Sequence, residues 1–232
     1  MRSKVTSTAE PAPADRALPR PRALVSDVYN AILDRITSLE IPPGGRINMD
    51  TLARELGVSP TPVREALSRL EAEGLVQKTH LVGHRAVPQL TRAEVEQLFE
   101  LRLLLEPAGA ALAARHMDAG TLTSLRRLHA QMRGLPNRAA PTYSEFARTD
   151  AEFHACIAEA SGNAFLADAL AKLRTHVHIF RLVSHTRVTS EAIDEHDDLL
   201  AALQRGDAAG ARRSMREHIL ASRHRILTLL PS

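Results

Sequence analysis

The sequence predicts a mainly α-helical protein with two domains, and three observations support this fold class. Aromatic residues make up only 3% of the 232 residues and Trp is absent, so the core has to be aliphatic. Leucine and alanine favour helices over sheets. Apolar residues also recur at helical spacing along most of the chain, and strand-like patterns are confined to residues 75–88.

Composition excludes several classes of protein. Hydrophobic residues are 44% and charged residues 25% of the chain, which is ordinary globular usage. The single Cys156 excludes an intramolecular disulfide framework and thiolate zinc fingers. No apolar run approaches the roughly 20 residues of a membrane helix, and the N-terminus lacks a secretory apolar segment. The sequence therefore predicts a cytoplasmic protein.

The N-terminal elements follow in a recognisable order after residues 1–22, which we predict to be a proline-rich, disordered tail. A first helix over residues 24–39 is stopped by the segment Ile41-Pro-Pro-Gly-Gly45. Shorter helices over 48–56 and 59–73 end at Gly57 and Gly74. Two strands, 75–78 and 85–88, follow around a turn at Gly83. Three helices and a β-hairpin in this order predict a winged helix-turn-helix over residues 23–90.

The third helix has the features of a helix that enters the major groove of DNA. Ser59 or Thr61 would cap its N-terminus, and Arg64 would point outward, where it could reach a guanine edge or a phosphate. The alternative for Arg64 is an ordinary solvated surface residue. The predicted buried stripe between this helix and the preceding one consists of Val63, Leu67, Leu70, Leu52 and Leu56.

Residues 91–232 are predicted to form an all-α bundle. Thr91 and Glu94 have the spacing of a capping box, which would open the first of its helices. The six predicted helices span residues 91–116, 120–135, 141–161, 163–184, 190–205 and 207–229.

Four polar residues of this bundle are predicted to face inward. Asp150 and His154 are four residues apart on one helix, so they share a face. His196 and His218 lie ten residues before and twelve residues after Gly206, so an antiparallel hairpin brings them level. Three imidazoles and one carboxylate suit Zn²⁺, Ni²⁺ or Mn²⁺. The pattern alone leaves two alternatives open, a metal site and a set of hydrogen-bonded structural histidines.

The N-terminal motifs resemble those of the GntR superfamily of bacterial transcriptional regulators. They are Pro43-Gly44, Leu52-Ala-Arg-Glu-Leu-Gly-Val58, Thr61-Pro-Val-Arg-Glu-Ala-Leu67 and Arg69-Leu-Glu-Ala-Glu-Gly-Leu-Val76. The resemblance implies that the wing enters the minor groove, with Gly83 and His84 at its tip. The family usually has arginine where this chain has Pro60, which leaves more of the base reading to Arg64.

The C-terminal motifs resemble the effector domain of the FadR subfamily, and six helices resemble its VanR-like branch. The motifs are Asp150-Ala-Glu-Phe-His154, Ser161-Gly-Asn163, Glu195-His196, Leu199-Leu-Ala-Ala-Leu203, Gly206-Asp207 and His218. The resemblance implies that Asp150, His154, His196 and His218 bind a divalent transition metal. It also implies that Arg102, in the motif Glu100-Leu-Arg102, binds the carboxylate of an effector. The alternative partner of Arg102 is Glu106, one helical turn on.

The hypothesis that results is a DNA-binding regulator, classed as a repressor, in which a small organic acid at a metal centre modulates operator binding. Residues 1–90 carry a net charge of only +2, so affinity must come from a localised patch and from a homodimer on a palindromic operator. Two alternatives differ in the role of the metal. In one the metal is structural and there is no effector. In the other the metal serves a hydrolase, with Glu195 as the general base nearest in sequence, but adjacency to His196 should point it away.

Overall fold

The computed structural model describes residues 21–79, 83–135, 140–182 and 189–230. Nearly all of the predicted N-terminal tail lies outside these ranges. Within them the strands are β1 (Arg46–Ile47), β2 (Val76–Thr79) and β3 (Gly83–Ala86). The helices are α1 (Pro21–Thr37), α2 (Met49–Glu55), α3 (Pro60–Ala72), α4 (Arg92–His116), α5 (Ala119–Gly134), α6 (Ala140–Ala160), α7 (Ala164–Leu173), α8 (Thr175–Leu182), α9 (Thr189–Gln204) and α10 (Ala208–Leu229).

The N-terminal part consists of α1 to α3 and a small antiparallel sheet, as the sequence predicted. The sheet has the order β1-β3-β2, so β1 adds a third strand to the predicted hairpin. Val63, Leu67 and Leu70 of α3 are fully buried, and they pack in one cluster with the buried Leu52 and the partly buried Leu56. The apolar stripe therefore sets the orientation of α3 and leaves its opposite face to solvent.

The C-terminal part contains seven helices in the described ranges, so the prediction of six was wrong. The segment predicted as one helix over 163–184 is divided into α7 and α8. Arg174 lies between them with φ +47°, in the left-handed region that interrupts a right-handed helix. Because the predicted number of helices was the reason to prefer the VanR-like branch, that preference loses its support.

Helix α4 is the central element of the C-terminal part, and it packs against α6, α7, α9 and α10. It begins with the predicted capping box. Thr91 Oγ1 accepts a hydrogen bond from Glu94 N, and Glu94 Oε2 accepts one from Thr91 N at 2.8 Å. Two core clusters result, one formed by residues between Val28 and Ala86 and the other by residues between Val95 and Ile226.

Helix α8 has side chains in both clusters. Val177 packs against the N-terminal cluster, whereas Ile179 is buried in the C-terminal one. Arg174, directly before α8, has its Nη2 atom 3.3 Å from Glu73 Oε1 at the end of α3. The two parts of the chain therefore meet at α8. None of the helices described above is both long enough and apolar enough to cross a lipid bilayer.

Candidate metal centre

Three helices bring the four predicted ligands together in the interior of the C-terminal part. Helix α6 supplies Asp150 and His154, α9 supplies His196, and α10 supplies His218. All four side chains are buried, and His196 has no exposed surface. The buried faces of these helices also contain Phe153, Leu199 and Met215, so apolar packing brings the polar groups to one point.

The three imidazoles face one another closely enough to share a ligand. One ring nitrogen from each histidine lies within 4.8 Å of the others. The centroid of the His196 ring is 4.6 Å from that of His218 and 5.4 Å from that of His154. Asp150 Oδ1 lies 3.4 Å from His196 Nε2 and 3.9 Å from His154 Nε2. The structure thus brings the three imidazoles and the Asp150 carboxylate close together, and their role as metal ligands stays a prediction.

His196 provides the test of whether this set suits a metal. Neither of its ring nitrogens makes a hydrogen bond within the described part of the chain, although both are buried. Burying an imidazole whose nitrogens make no hydrogen bond is costly, and coordination of a metal would remove that cost. Burial, followed by the nearby His218, lowers the pKa of His196 well below 6.5. A neutral imidazole is the form that binds metals, so the residues fit a divalent transition metal.

Two carboxylates lie behind the other histidines. Glu106 Oε2 is 2.9 Å from His154 Nδ1, and Glu195 Oε2 is 2.8 Å from His218 Nδ1. Burial would raise the pKa of both carboxyl groups, but each bonds an arginine and a histidine that more than compensate. The pKa of Glu106 is therefore held well below its ordinary value, mainly by the charge of Arg102. Both carboxylates are ionised acceptors next to the site.

Arg102 is only 2% exposed, and the structure pairs it with Glu106. Its Nε atom donates a hydrogen bond to Glu106 Oε1 at 2.5 Å, so the pair is an ion pair between successive turns of α4. The guanidinium carbon also lies 5.1 Å from the centre of the Phe99 ring. Of the two partners considered for Arg102, Glu106 is present, and the effector carboxylate stays a prediction.

The predicted DNA-binding residues lie on and near α3. Arg64 is exposed on this helix, and Ser59 precedes it as the N-cap residue without a side-chain capping bond. Thr61 is exposed in the first turn. Gly83 begins β3 with φ +91°, and residues 80–82 before it lie outside the described ranges. His84 is also in β3 and only 7% exposed, so its side chain is not at the tip of the wing.

Two family models match the two parts of the chain. The model described as bacterial regulatory proteins, gntR family, matches residues 24–85, and the FCD domain model matches residues 97–221. The chain belongs to the GntR family. The FCD match spans more than half of the chain and includes α6, α9 and His218 of α10.

Named relatives of this GntR protein are transcriptional regulators and not enzymes. The Nta operon transcriptional regulator of Aminobacter aminovorans is 30% identical over 71% of this chain and 81% of its own. The probable D-xylose utilization operon transcriptional repressor of Paenarthrobacter nicotinovorans is 29% identical over 85% of this chain and 86% of its own. The uncharacterized regulator YdhC of Bacillus subtilis is 27% identical over 89% and 91%.

Solved structures support the fold of this GntR protein. McbR/YncC of E. coli matches with a TM-score of 0.68 at 22% identity, over 88% of this chain and 97% of its own. A GntR regulator from Rhodococcus sp. RHA1 matches with a TM-score of 0.69 at 19% identity, over 89% and 98%.

Sequence reasoning missed the role of Glu195 in this GntR protein. Its neighbour His196 points into the site, and adjacent helical residues diverge, so Glu195 was expected to point away. It does diverge from His196, but it meets His218 on the antiparallel α10. Arg225, which bonds Glu195, was also missed. The only usable signal is that Glu191 and Glu195 form an acidic edge on α9 opposite Arg225.

Proposed function

We propose that this GntR-family regulator represses transcription as a homodimer on a palindromic operator, and that a small carboxylate bound at a metal centre in its FCD domain modulates operator binding. The observation that carries the proposal is the buried cluster of His154, His196 and His218 beside Asp150, in a chain that also has a winged helix-turn-helix. The name of the Paenarthrobacter relative supports the repressor assignment. We place the boundary between the two domains at residues 90–91.

DNA contact is proposed for the exposed start of α3 and for the wing. Arg64 is the candidate for base recognition, because a guanidinium can bond a guanine edge with two donors. Ser59 and Thr61 are candidates for phosphate contacts, and Gly83 and His84 for the wing. Since the His84 side chain is buried, the structure supports only its backbone as a contact.

The metal ligands are proposed to be Asp150, His154, His196 and His218, with Zn²⁺, Ni²⁺ or Mn²⁺ as the ion. Such an ion would supply a Lewis-acidic position to which the carboxylate of an organic acid could bind. Arg102 is proposed to bind the same acid. To bind the acid, the Arg102 guanidinium must either contact it in addition to Glu106 or replace the Glu106 carboxylate by that of the acid. The two ion pairs would be of similar strength.

The homodimer is supported by exposed apolar side chains on α4 and α7, two helices that contact each other. Leu104 is 72% and Phe165 90% exposed, and Leu101 is exposed as well. The two helices are in close contact, since a Cβ atom added at Gly109 would lie 3.1 Å from Leu166 Cδ2. Large exposed apolar side chains on adjoining helices are typical of an interface, and a second copy of the chain is the occupant that a palindromic operator requires.

The DNA-binding proposal is tested with Arg64→Ala on genomic fragments that the wild-type protein selects. We expect the variant to lose about 1–3 kcal/mol of binding free energy per half-site, because the guanidinium contacts are lost. Arg213→Ala is the matched control, since Arg213 is exposed on α10 of the FCD domain. Undiminished operator binding by Arg64→Ala in a gel-shift titration would refute the role of α3.

The metal and effector proposals are tested together. Metal analysis of untagged protein should find about one transition-metal ion per chain, lost in His196→Ala, because four protein ligands define one site. A panel of small carboxylic acids should then change operator affinity of the metal-loaded protein by roughly 5- to 150-fold for the correct acid.

Two outcomes of this test distinguish the alternatives. A bound metal with unchanged operator affinity across the panel would favour a structural metal, the alternative that the Arg102–Glu106 pair supports because it already satisfies the arginine. A metal-free wild type that is as stable as the loaded protein would return the histidines to a structural role.

A further inference from the structure

Two of the three clustered histidines are each held from behind by a carboxylate and an arginine. The first series of hydrogen-bonded side chains runs from Arg102 through Glu106 on α4 to His154 on α6. Arg102 Nε donates to Glu106 Oε1 at 2.5 Å, and Glu106 Oε2 lies 2.9 Å from His154 Nδ1. All three side chains are buried, so water does not weaken these bonds.

The second series of hydrogen-bonded side chains also runs from an arginine through a glutamate to a histidine, but on different helices. Arg225 of α10 bonds Glu195 of α9 through both of its terminal nitrogens, with Nη2 2.9 Å from Oε2. Glu195 Oε2 in turn lies 2.8 Å from Nδ1 of His218 on α10. The arginine of each series favours the ionised, acceptor-only form of its carboxylate. The two series therefore impose the same requirement on their histidines.

An ionised carboxylate can bond an imidazole nitrogen only if that nitrogen carries a proton. His154 and His218 must then hold their proton on Nδ1 when neutral, which leaves the Nε2 lone pair available to a metal. The carboxylate nearest to His196 is that of Asp150, with Oδ1 3.4 Å from Nε2, but neither ring nitrogen of His196 makes a hydrogen bond among the residues that the structure describes, so its tautomer is not fixed in this way. The carboxylates thus orient two of the three histidine ligands. The third, His196, has to be oriented by the metal and by Asp150.

We propose that Glu106 and Glu195 are positioning residues that fix the tautomer and the ring orientation of His154 and His218, and that Arg102 and Arg225 hold these carboxylates in place. This inference rests on the proposed metal centre. It gives Arg102 a task that does not require an effector, and it gives Glu195 a task that is not catalytic.

The direct test is the tautomer of each histidine in the metal-free wild-type protein, read from long-range ¹H–¹⁵N correlation spectra at neutral pH. We expect His154 and His218 to be protonated on Nδ1 and not on Nε2. Protonation of either histidine on Nε2 would overturn the proposal for its carboxylate, whether or not the protein binds a metal.

The second test is the affinity for Zn²⁺ or Ni²⁺, measured by competition with a chromophoric chelator. Glu195→Gln should bind the ion roughly 10- to 100-fold more weakly, as expected when a carboxylate behind a metal ligand is replaced. Asp198→Asn is the matched control, because Asp198 lies on the same helix and is exposed. It should bind the ion as the wild type does.

The outcomes separate this inference from the proposed function. If the wild type binds no ion, the metal centre fails, and the tautomer spectra still decide the positioning role. If the wild type binds an ion and Glu195→Gln binds it equally well, the positioning role fails and the metal centre stands. Should Glu106→Gln not fold because Arg102 is left uncompensated, the double variant Arg102→Met/Glu106→Gln takes its place, with the same expected loss of affinity.

Discussion

Tyr29 connects α1 to the end of α3. Its buried hydroxyl group donates a hydrogen bond of 2.5 Å to Glu73 Oε2. Burial and the Glu73 carboxylate both favour the neutral phenol and raise the pKa of Tyr29 from 10.0 to about 12. A group whose pKa is raised by folding stabilises the protein fully below its ordinary pKa. The contribution of Tyr29 is therefore complete below pH 10 and is lost as the pH rises toward 12.

The raised pKa of Tyr29 predicts different absorbance titrations for variants of the two tyrosines of the chain, Tyr29 and Tyr143. Tyr29→Phe should remove a tyrosinate absorbance transition at about pH 12, whereas Tyr143→Phe should leave that transition in place. The free energy of unfolding of the wild type should also fall more between pH 10 and 12 than that of Tyr29→Phe. If the absorbance transition persists in Tyr29→Phe, the assignment of the raised pKa is wrong.

At the scale of residues, the sequence located the proposed ligands but not what surrounds them. Asp150 and His154 share a helical face at a spacing of four, and the hairpin arithmetic brought His196 level with His218. The partners of these residues are set by packing between helices. Glu106 lies 48 residues from His154, and no periodicity relates them. For Arg102 the sequence left two partners open, and the structure shows the local one.

The start of α4 is the clearest local signal in the chain. Thr91→Ala should lower the free energy of unfolding by about 0.5–2 kcal/mol, because the amide of Glu94 loses its acceptor. Urea denaturation measures the change. Thr123→Ala is the matched control, since Thr123 is exposed in the middle of a helix and bonds only the carbonyl of Ala119. Alanine is a better helix former there, so equal losses in both variants would contradict the capping role.

At the scale of elements, helix ends marked by a glycine were predictable from the sequence, and the helix end at Arg174 and the strand β1 were not. Gly57, Gly74 and Gly206 have positive φ and end helices where the sequence placed the breaks. Arg174 ends α7 in the same left-handed conformation, but arginine gives no warning of it. The strand β1 was missed for a different reason, since two residues are too short to show an alternating pattern.

The whole molecule is expected to be a dimer through the exposed apolar side chains of α4 and α7. Leu104→Glu should convert the protein to a monomer in sedimentation velocity, because a carboxylate would be buried without a partner. Leu229→Glu is the matched control, since Leu229 is 44% exposed but lies at the end of α10. A Leu104→Glu protein that sediments as the wild-type dimer would place the interface on another face.

Helix α8 connects the two hydrophobic cores of the protein. Val177 and Ile179, two residues apart, are anchored in different cores, and Arg174 ties the start of the helix to α3 through Glu73. A helix of eight residues is a stiff body, so a shift of Ile179 moves Val177 by a comparable distance. Helix α8 also packs against α6, which carries Asp150 and His154. We therefore expect a displacement of α8 by repacking around α6 to reach the helix that carries Arg64 through the ion pair of Arg174 with Glu73.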